Sequence, residues 1–157
     1  MTDDEKLKYL EIIQGVIGRL ANNSFSLKGW AVTLVAAVFA LAAKDADKGY
    51  FAIALIPTIC FWGLDSFYLR QERLFRRLYD WVRLLQSEEI LNPFTMDTSA
   101  FAEPRVGNKM IETIGLGDVK SWWKTCWSTT IAWFYAPLVF CTIILTAITY
   151  FINFSGG

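Results

Sequence analysis

Four arginines stand close together at Arg70, Arg73, Arg76 and Arg77. On a helix, Arg73, Arg76 and Arg77 share one face and Arg70 neighbours Arg73. The planar fork of donors on a guanidinium suits phosphate oxygens, so the cluster can hold an anion such as a nucleotide, an oligonucleotide or a lipid headgroup. A plainer role fits the same residues: contact with headgroups at a membrane edge, with local pairing to Glu72 and Asp80.

A second pattern lies near the end of the chain. At 100° per residue, Ser128, Tyr135, Thr142, Thr146, Thr149 and Asn153 fall within a sector of about 60° on an otherwise apolar helix. Several such helices around an axis would line a water-filled path with hydroxyls and one amide. The alternative is that serine and threonine bond their own helix carbonyls or join helices within lipid. A chain with three spans cannot enclose a path alone, so pore lining requires a homo-oligomer.

Three further features carry weaker chemistry. Asp65 is an acid at the edge of an apolar run, within reach of water and of Arg70. Trp122, Trp123, Lys124 and Trp127 can stack bases, or can form the tryptophan and lysine belt typical of a headgroup layer. Gly115 and Gly117 precede a helix start at Asp118, but the third glycine and the flanking strand of a dinucleotide site are missing.

What the chain lacks is also informative. It has no histidine, which removes histidine-based triads, dyads, metal sites and pH switches. Its three cysteines, Cys60, Cys126 and Cys141, form no CxxC pair, and each sits in or beside an apolar run. There is no phosphate loop, no paired intramembrane acid and no metal-ligand cluster. An enzyme is therefore not expected, nor is a cofactor or a metal.

The elements that must position these residues are helices. Hydrophobic residues make up 54% of the 157 residues and aromatics 16%. Soluble domains contain roughly 45–50% apolar residues, and the excess indicates a lipid environment. The expected fold is an all-α membrane protein with three transmembrane helices, at about 25–43, about 50–68 and about 131–153.

An amphipathic helix should come first. Thr2 and Glu5 have capping-box spacing, and Leu7, Leu10, Ile13, Ile17 and Leu20 recur helically towards an end near Asn22 and Asn23. Met1 to Tyr9 is charged and mixed, without the apolar core of a cleavable signal. In the first span, Gly29, Thr33, Ala36, Ala40 and Ala43 fall on one face and let another helix approach closely. Lys28 at its edge can snorkel to headgroups.

A polar turn, 44–49, then leads to the second span, where Pro57 is expected to kink the helix. That helix should continue out of the bilayer as a charged, amphipathic stalk over 68–87, carrying Leu74, Leu78, Val82 and Leu85. Pro93, Pro104, Gly107, Gly115 and Gly117 break up 92–117 into a loop, with room for a helical piece over 108–114. An interfacial segment and the third span, kinked at Pro137, complete a single membrane domain over 1–157.

Basic residues set the orientation. Four precede the core of the first span and nine lie between the second and third, whereas the tail has none. The positive-inside rule puts the amino terminus and the stalk in the cytoplasm and the carboxyl terminus on the far side.

Asn23-Ser24-Phe25, Leu27-Lys28-Gly29-Trp30, Phe61-Trp62-Gly63-Leu64-Asp65, and Tyr68-Leu69 running into Glu72-Arg73-Leu74-Phe75-Arg76 resemble the bacterial SLATT family over roughly residues 5–85. These are small membrane effectors found beside nucleotide-synthesising enzymes in anti-phage systems. The chain's size also suits the membrane channels of Hailong-type systems, whose partner enzyme makes short DNA oligomers that hold the channel shut. The third span departs from the plainest, two-span members.

The resemblance implies a homo-oligomer, a tetramer, in the inner membrane. It would be an ion channel gated by a nucleotide or short single-stranded DNA from a partner nucleotidyltransferase, and its opening would depolarise an infected cell. From the residues alone, a non-conducting adaptor that recruits a cytoplasmic protein through the stalk and the loop stands beside it.

Overall fold

The computed structural model describes residues 1–45, 53–86, 89–90, 94–102 and 121–155, and the side chains of all but 42–45, 100, 149–150 and 152–155 among them. The described residues contain helices and no strand. The helices are α1 (Asp3–Asp45), α2 (Leu55–Leu84), α3 (Ser99–Ala102), α4 (Trp122–Cys126) and α5 (Thr129–Ser155). Two of them, α1 and α5, contain stretches long and apolar enough to cross a membrane. The turn over 46–49, the start of the second apolar run at 50–52, the proposed helical piece over 108–114 and Asp118 lie outside the described residues.

The amino-terminal cap forms as its spacing predicts. The Thr2 amide donates to Glu5 Oε2 at 2.8 Å, and the Glu5 amide donates to Thr2 Oγ1 at 3.3 Å. These bonds to Thr2 hold the Glu5 carboxyl below its ordinary pKa. A lowered folded-state pKa stabilises the helix start above the unfolded value of 4.5 and stops doing so as pH falls through the folded one. Amide exchange of the first turn should therefore accelerate as pH is lowered from about 6 to about 3, after correction for intrinsic exchange rates, and Glu5→Gln should flatten that dependence. A corrected protection profile identical in the two proteins would show that the box does not hold the first turn.

One helix stands where the sequence suggests two. α1 runs through Asn22 and Asn23 without a break. Asparagine is a weak helix former but not a breaker, and neither glycine nor proline stands beside it to stop the chain. Pro57 also differs from expectation. It lies in the first turn of α2, where its missing amide has no intrahelical acceptor to lose, so no interior kink follows there. Pro137 does lie inside α5.

The chain divides into two compact units. The first comprises Met1–Asn23 and Phe67–Trp123. Its core is Tyr9, Ile13 and Ile17 of α1 against Leu74, Leu78, Val82 and Leu85, with Ile90 and Phe101 closing it. The Tyr9 hydroxyl donates to the Thr95 carbonyl, and burial pushes its pKa up, so it remains a neutral donor. Lys6 Nζ donates to the Leu85 carbonyl at 2.6 Å and to the Arg83 carbonyl at 3.4 Å. A cation on free carbonyls at a helix carboxyl end opposes the dipole and supplies the missing donors, consistent with α2 ending at Leu84.

The second unit comprises Ser24–Ser66 and Lys124–Gly157. Here α1 buries Ser24, Ala31 and Val35, α2 buries Thr58, Asp65 and Ser66 with Ala54 just before its start, and α5 buries Ile131, Tyr135 and Thr142. Its outer surface is apolar: Trp30, Leu41, Ile56, Trp133, Phe140, Ile148 and Phe151 are exposed. Contiguous apolar surface of this kind on helices of spanning length fits lipid contact.

Candidate functional site: a buried ion pair between α1 and α2

Ser24 and Lys28 are one turn apart on α1, so their side chains share a face. Opposite them on α2 is Asp65, fully buried. Lys28 Nζ lies 2.6 Å from Asp65 Oδ2. Ser24 Oγ donates to Asp65 Oδ1. Lys28 Nζ also donates to Ser24 Oγ at 2.9 Å, which ties the two α1 side chains into one unit. The contact at Oδ2 is an electrostatic pairing rather than an aligned hydrogen bond.

The partners are unequal in their access to solvent. The Lys28 side chain retains 20% exposure, whereas Asp65 has none. Removing a carboxylate from water costs several kcal/mol, even after relaxation, and Lys28 and Ser24 offset that cost at Asp65.

Aromatic residues enclose the cluster. Lys28 Nζ lies 5.9 Å from the centroid of the Phe134 ring, a cation–π distance. The Trp62 ring stacks parallel to Tyr135 at 6.1 Å and meets Trp127 edge-on at 5.4 Å. Trp62 Nε1 donates to the Cys126 carbonyl at 3.0 Å, which fixes the indole. The Tyr135 hydroxyl is close enough to Asp65 to interact with it, yet it is buried without an aligned hydrogen-bond partner among the described residues. Ser128 Oγ is likewise buried, with no hydrogen-bond partner among the described residues.

From the sequence, Asp65 is expected within reach of Arg70 and Lys28 at the headgroups, whereas the structure pairs Lys28 with Asp65. Helical geometry explains the difference. Positions five apart on a helix point about 140° away from each other, so Asp65 and Arg70 cannot meet. The available signal was depth: Lys28 opens one apolar run and Asp65 closes the next, which places them level in a helical hairpin.

The arginines differ in their partners. Arg76 is held by Glu72 one turn away, at 2.7 Å. Arg70 Nη2 donates to the Ala102 carbonyl at 3.4 Å, and its Nε is buried without a partner among the described residues. Arg73 and Arg77 are half-buried and have no ion-pair partner among the described residues.

The hydroxyl stripe of α5 is turned inward. Tyr135 and Thr142 are fully buried in the second unit. Thr142 donates to the Leu138 carbonyl and Thr146 to the Thr142 carbonyl, each at 2.8 Å, the back-bonding typical of hydroxyls in apolar helices. The side chains of Thr149 and Asn153 lie outside those described.

The small-residue face of α1 shows the opposite. Gly29, Thr33, Ala36 and Ala40 are exposed, Thr33 bonds back to the Gly29 carbonyl, and Ala31 and Val35 make the helix's internal contacts. The small face is thus open to contact from outside the chain, and the side chain of Ala43 lies outside those described. No group of His, Cys, Asp and Glu suited to a metal occurs among the described residues.

Comparison with known proteins adds no identity: no family model, no curated protein and no solved structure matches the chain.

Proposed function

We propose that the chain is a SLATT-type membrane effector of anti-phage defence. It spans the inner membrane three times, with its amino terminus in the cytoplasm, and oligomerises, as a tetramer on the resemblance, into an ion channel. The observation that carries this reading is the identity of the buried cluster. Ser24, Lys28, Trp62 and Asp65 belong to the short motifs on which the resemblance rests, and they are brought together around one carboxylate. A second span fits the fifteen residues 50–64, which carry no charge.

In this reading the arrangement described is the shut one. Tyr135 and Thr142 are packed inward, and opening turns the stripe of Ser128, Tyr135, Thr142, Thr146, Thr149 and Asn153 to a central path. The exposed face of Gly29, Thr33, Ala36 and Ala40 meets a neighbouring copy. Arg73 and Arg77, without ion-pair partners among the described residues, together with Arg70 and Arg76, take the anionic signal: a nucleotide or short single-stranded DNA from a partner nucleotidyltransferase.

Liposomes holding the pure protein should pass ions, and an anionic nucleotide should change the flux. Arg73→Glu should weaken the response to nucleotide by tenfold or more, about the effect of losing one charge-assisted phosphate contact. Leakage equal to that of empty liposomes, with and without nucleotide, would end the channel reading.

The inward stripe favours a second reading, a non-conducting adaptor. Its cytoplasmic unit, with its own core, would hold a partner protein. Recovery of one partner at fixed stoichiometry from membranes that show no conductance decides for it.

A further inference from the structure

The Tyr135 hydroxyl is the feature that neither the ion pair nor the stripe explains. It is fully buried and has no aligned hydrogen-bond partner among the described residues; its ring stacks on Trp62, one turn before Asp65 on α2, and Asp65 Oδ2 is likewise buried without an aligned hydrogen bond. A buried hydroxyl left unsatisfied costs about 1–3 kcal/mol, so one that persists calls for a reason. Phenylalanine would keep the stack on Trp62 without that cost.

We propose that Tyr135 is the alternate donor to Asp65, so that the carboxylate exchanges between Lys28 and Ser24 on α1 and the hydroxyl on α5. Ser24 and Lys28 sit on the same turn of α1 and bond to each other, so movement of that turn away from α2 removes both from Asp65 together. Lys28 has a way out, because its side chain is already part-exposed and its long stem can carry the ammonium to the headgroups. Asp65 has none. A donor on a third helix lets the α1–α2 contact open without stranding a bare carboxylate in an apolar surrounding. The exchange makes the cluster a two-position element, the kind of device on which a ligand can act.

In the proposed channel this exchange is the gating step, and to that extent the inference rests on that reading. The experiment reads protein stability instead of conduction, so a silent bilayer does not decide it. Four purified proteins in one detergent are compared by thermal unfolding: wild type, Tyr135→Phe, Lys28→Met, and the double variant. Tyr135→Phe alone should leave the midpoint unchanged or raise it slightly, because the hydroxyl has no bond to lose. In the Lys28→Met background the same change should lower the midpoint by about 3–8 °C, because Tyr135 then donates to Asp65. Equal effects of Tyr135→Phe in the two backgrounds overturn the proposal. If Lys28→Met does not fold, Ser24→Ala removes a single donor and carries the same comparison, with the same additive result counting against it.

Discussion

Lys28→Met is expected to destabilise the protein several times more than Asp65→Asn, although the two changes break the same ion pair. After Asp65→Asn, Lys28 is left part-exposed, and its stem can carry the charge to water. Ser24 still has a carbonyl oxygen to bond, and the loss should be about 1 kcal/mol. After Lys28→Met, a fully buried carboxylate keeps only neutral donors, Ser24 and, in the exchange proposed above, Tyr135, and its charge is left without a counter-ion. Leaving one member of a buried pair uncompensated costs about 3–5 kcal/mol, or roughly 10 °C in the melting midpoint of a protein this size. Lys28→Arg should recover part of the loss, since the charge returns in a bulkier form. Unfolding midpoints of the three variants in one detergent make the comparison. Equal losses for Lys28→Met and Asp65→Asn would mean that Asp65 is not held as a carboxylate, and the charged cluster would lose its role as the clamp of α1 on α2.

That asymmetry is not legible in the sequence, where Lys28 and Asp65 stand at the edges of separate apolar runs. Linear distance suggested Arg70 as the partner of Asp65, and only the angle between positions on a helix excludes it. The helices themselves were largely legible. Leu74, Leu78, Val82 and Leu85 recur at helical spacing and are all buried, because an amphipathic helix has one face to hide and its period reveals which. On α1 the buried line is Tyr9, Ile13 and Ile17, whereas Leu7 of the wider sequence stripe is exposed. Tyr9 escaped notice because its polar hydroxyl disguises a ring that is wholly inside, bonded to Thr95 and tilted against Phe94 at 5.5 Å.

The inward turn of the α5 stripe was legible as a pattern but not as a direction. Periodicity states which residues share a face and is silent on what that face meets. Tyr135 and Thr142 meet their own chain, and the same spacing would serve a pore axis equally well. The small face of α1 shows the converse, since Gly29, Thr33, Ala36 and Ala40 are free of internal contacts that Ala31 and Val35 make instead. Direction depends on the other helices, and a single helix's sequence does not contain it.

Leu78→Ala should remove about 2–5 kcal/mol from the first unit, the usual cost of deleting a buried leucine side chain from a packed core. Leu78 is 1% exposed and belongs to a core built from α1, α2 and the segment that follows them, with Ile90 and Phe101 at its edge. Every residue of that core lies within the first unit, and the clamp around Asp65 lies within the second. The loss should therefore be local. Limited proteolysis of membrane vesicles should cut the variant after α2, where Tyr9 and Lys6 bond Thr95 and Leu85 in the native chain, while α5 stays protected. Lys28→Met should reverse the pattern, loosening the second unit before the first. If both variants lose protection across both units at the same denaturant concentration, the two cores are one cooperative body. In the channel proposed above, a signal bound at the arginines of α2 would then reach Asp65 through global stability rather than through a local exchange of its donors.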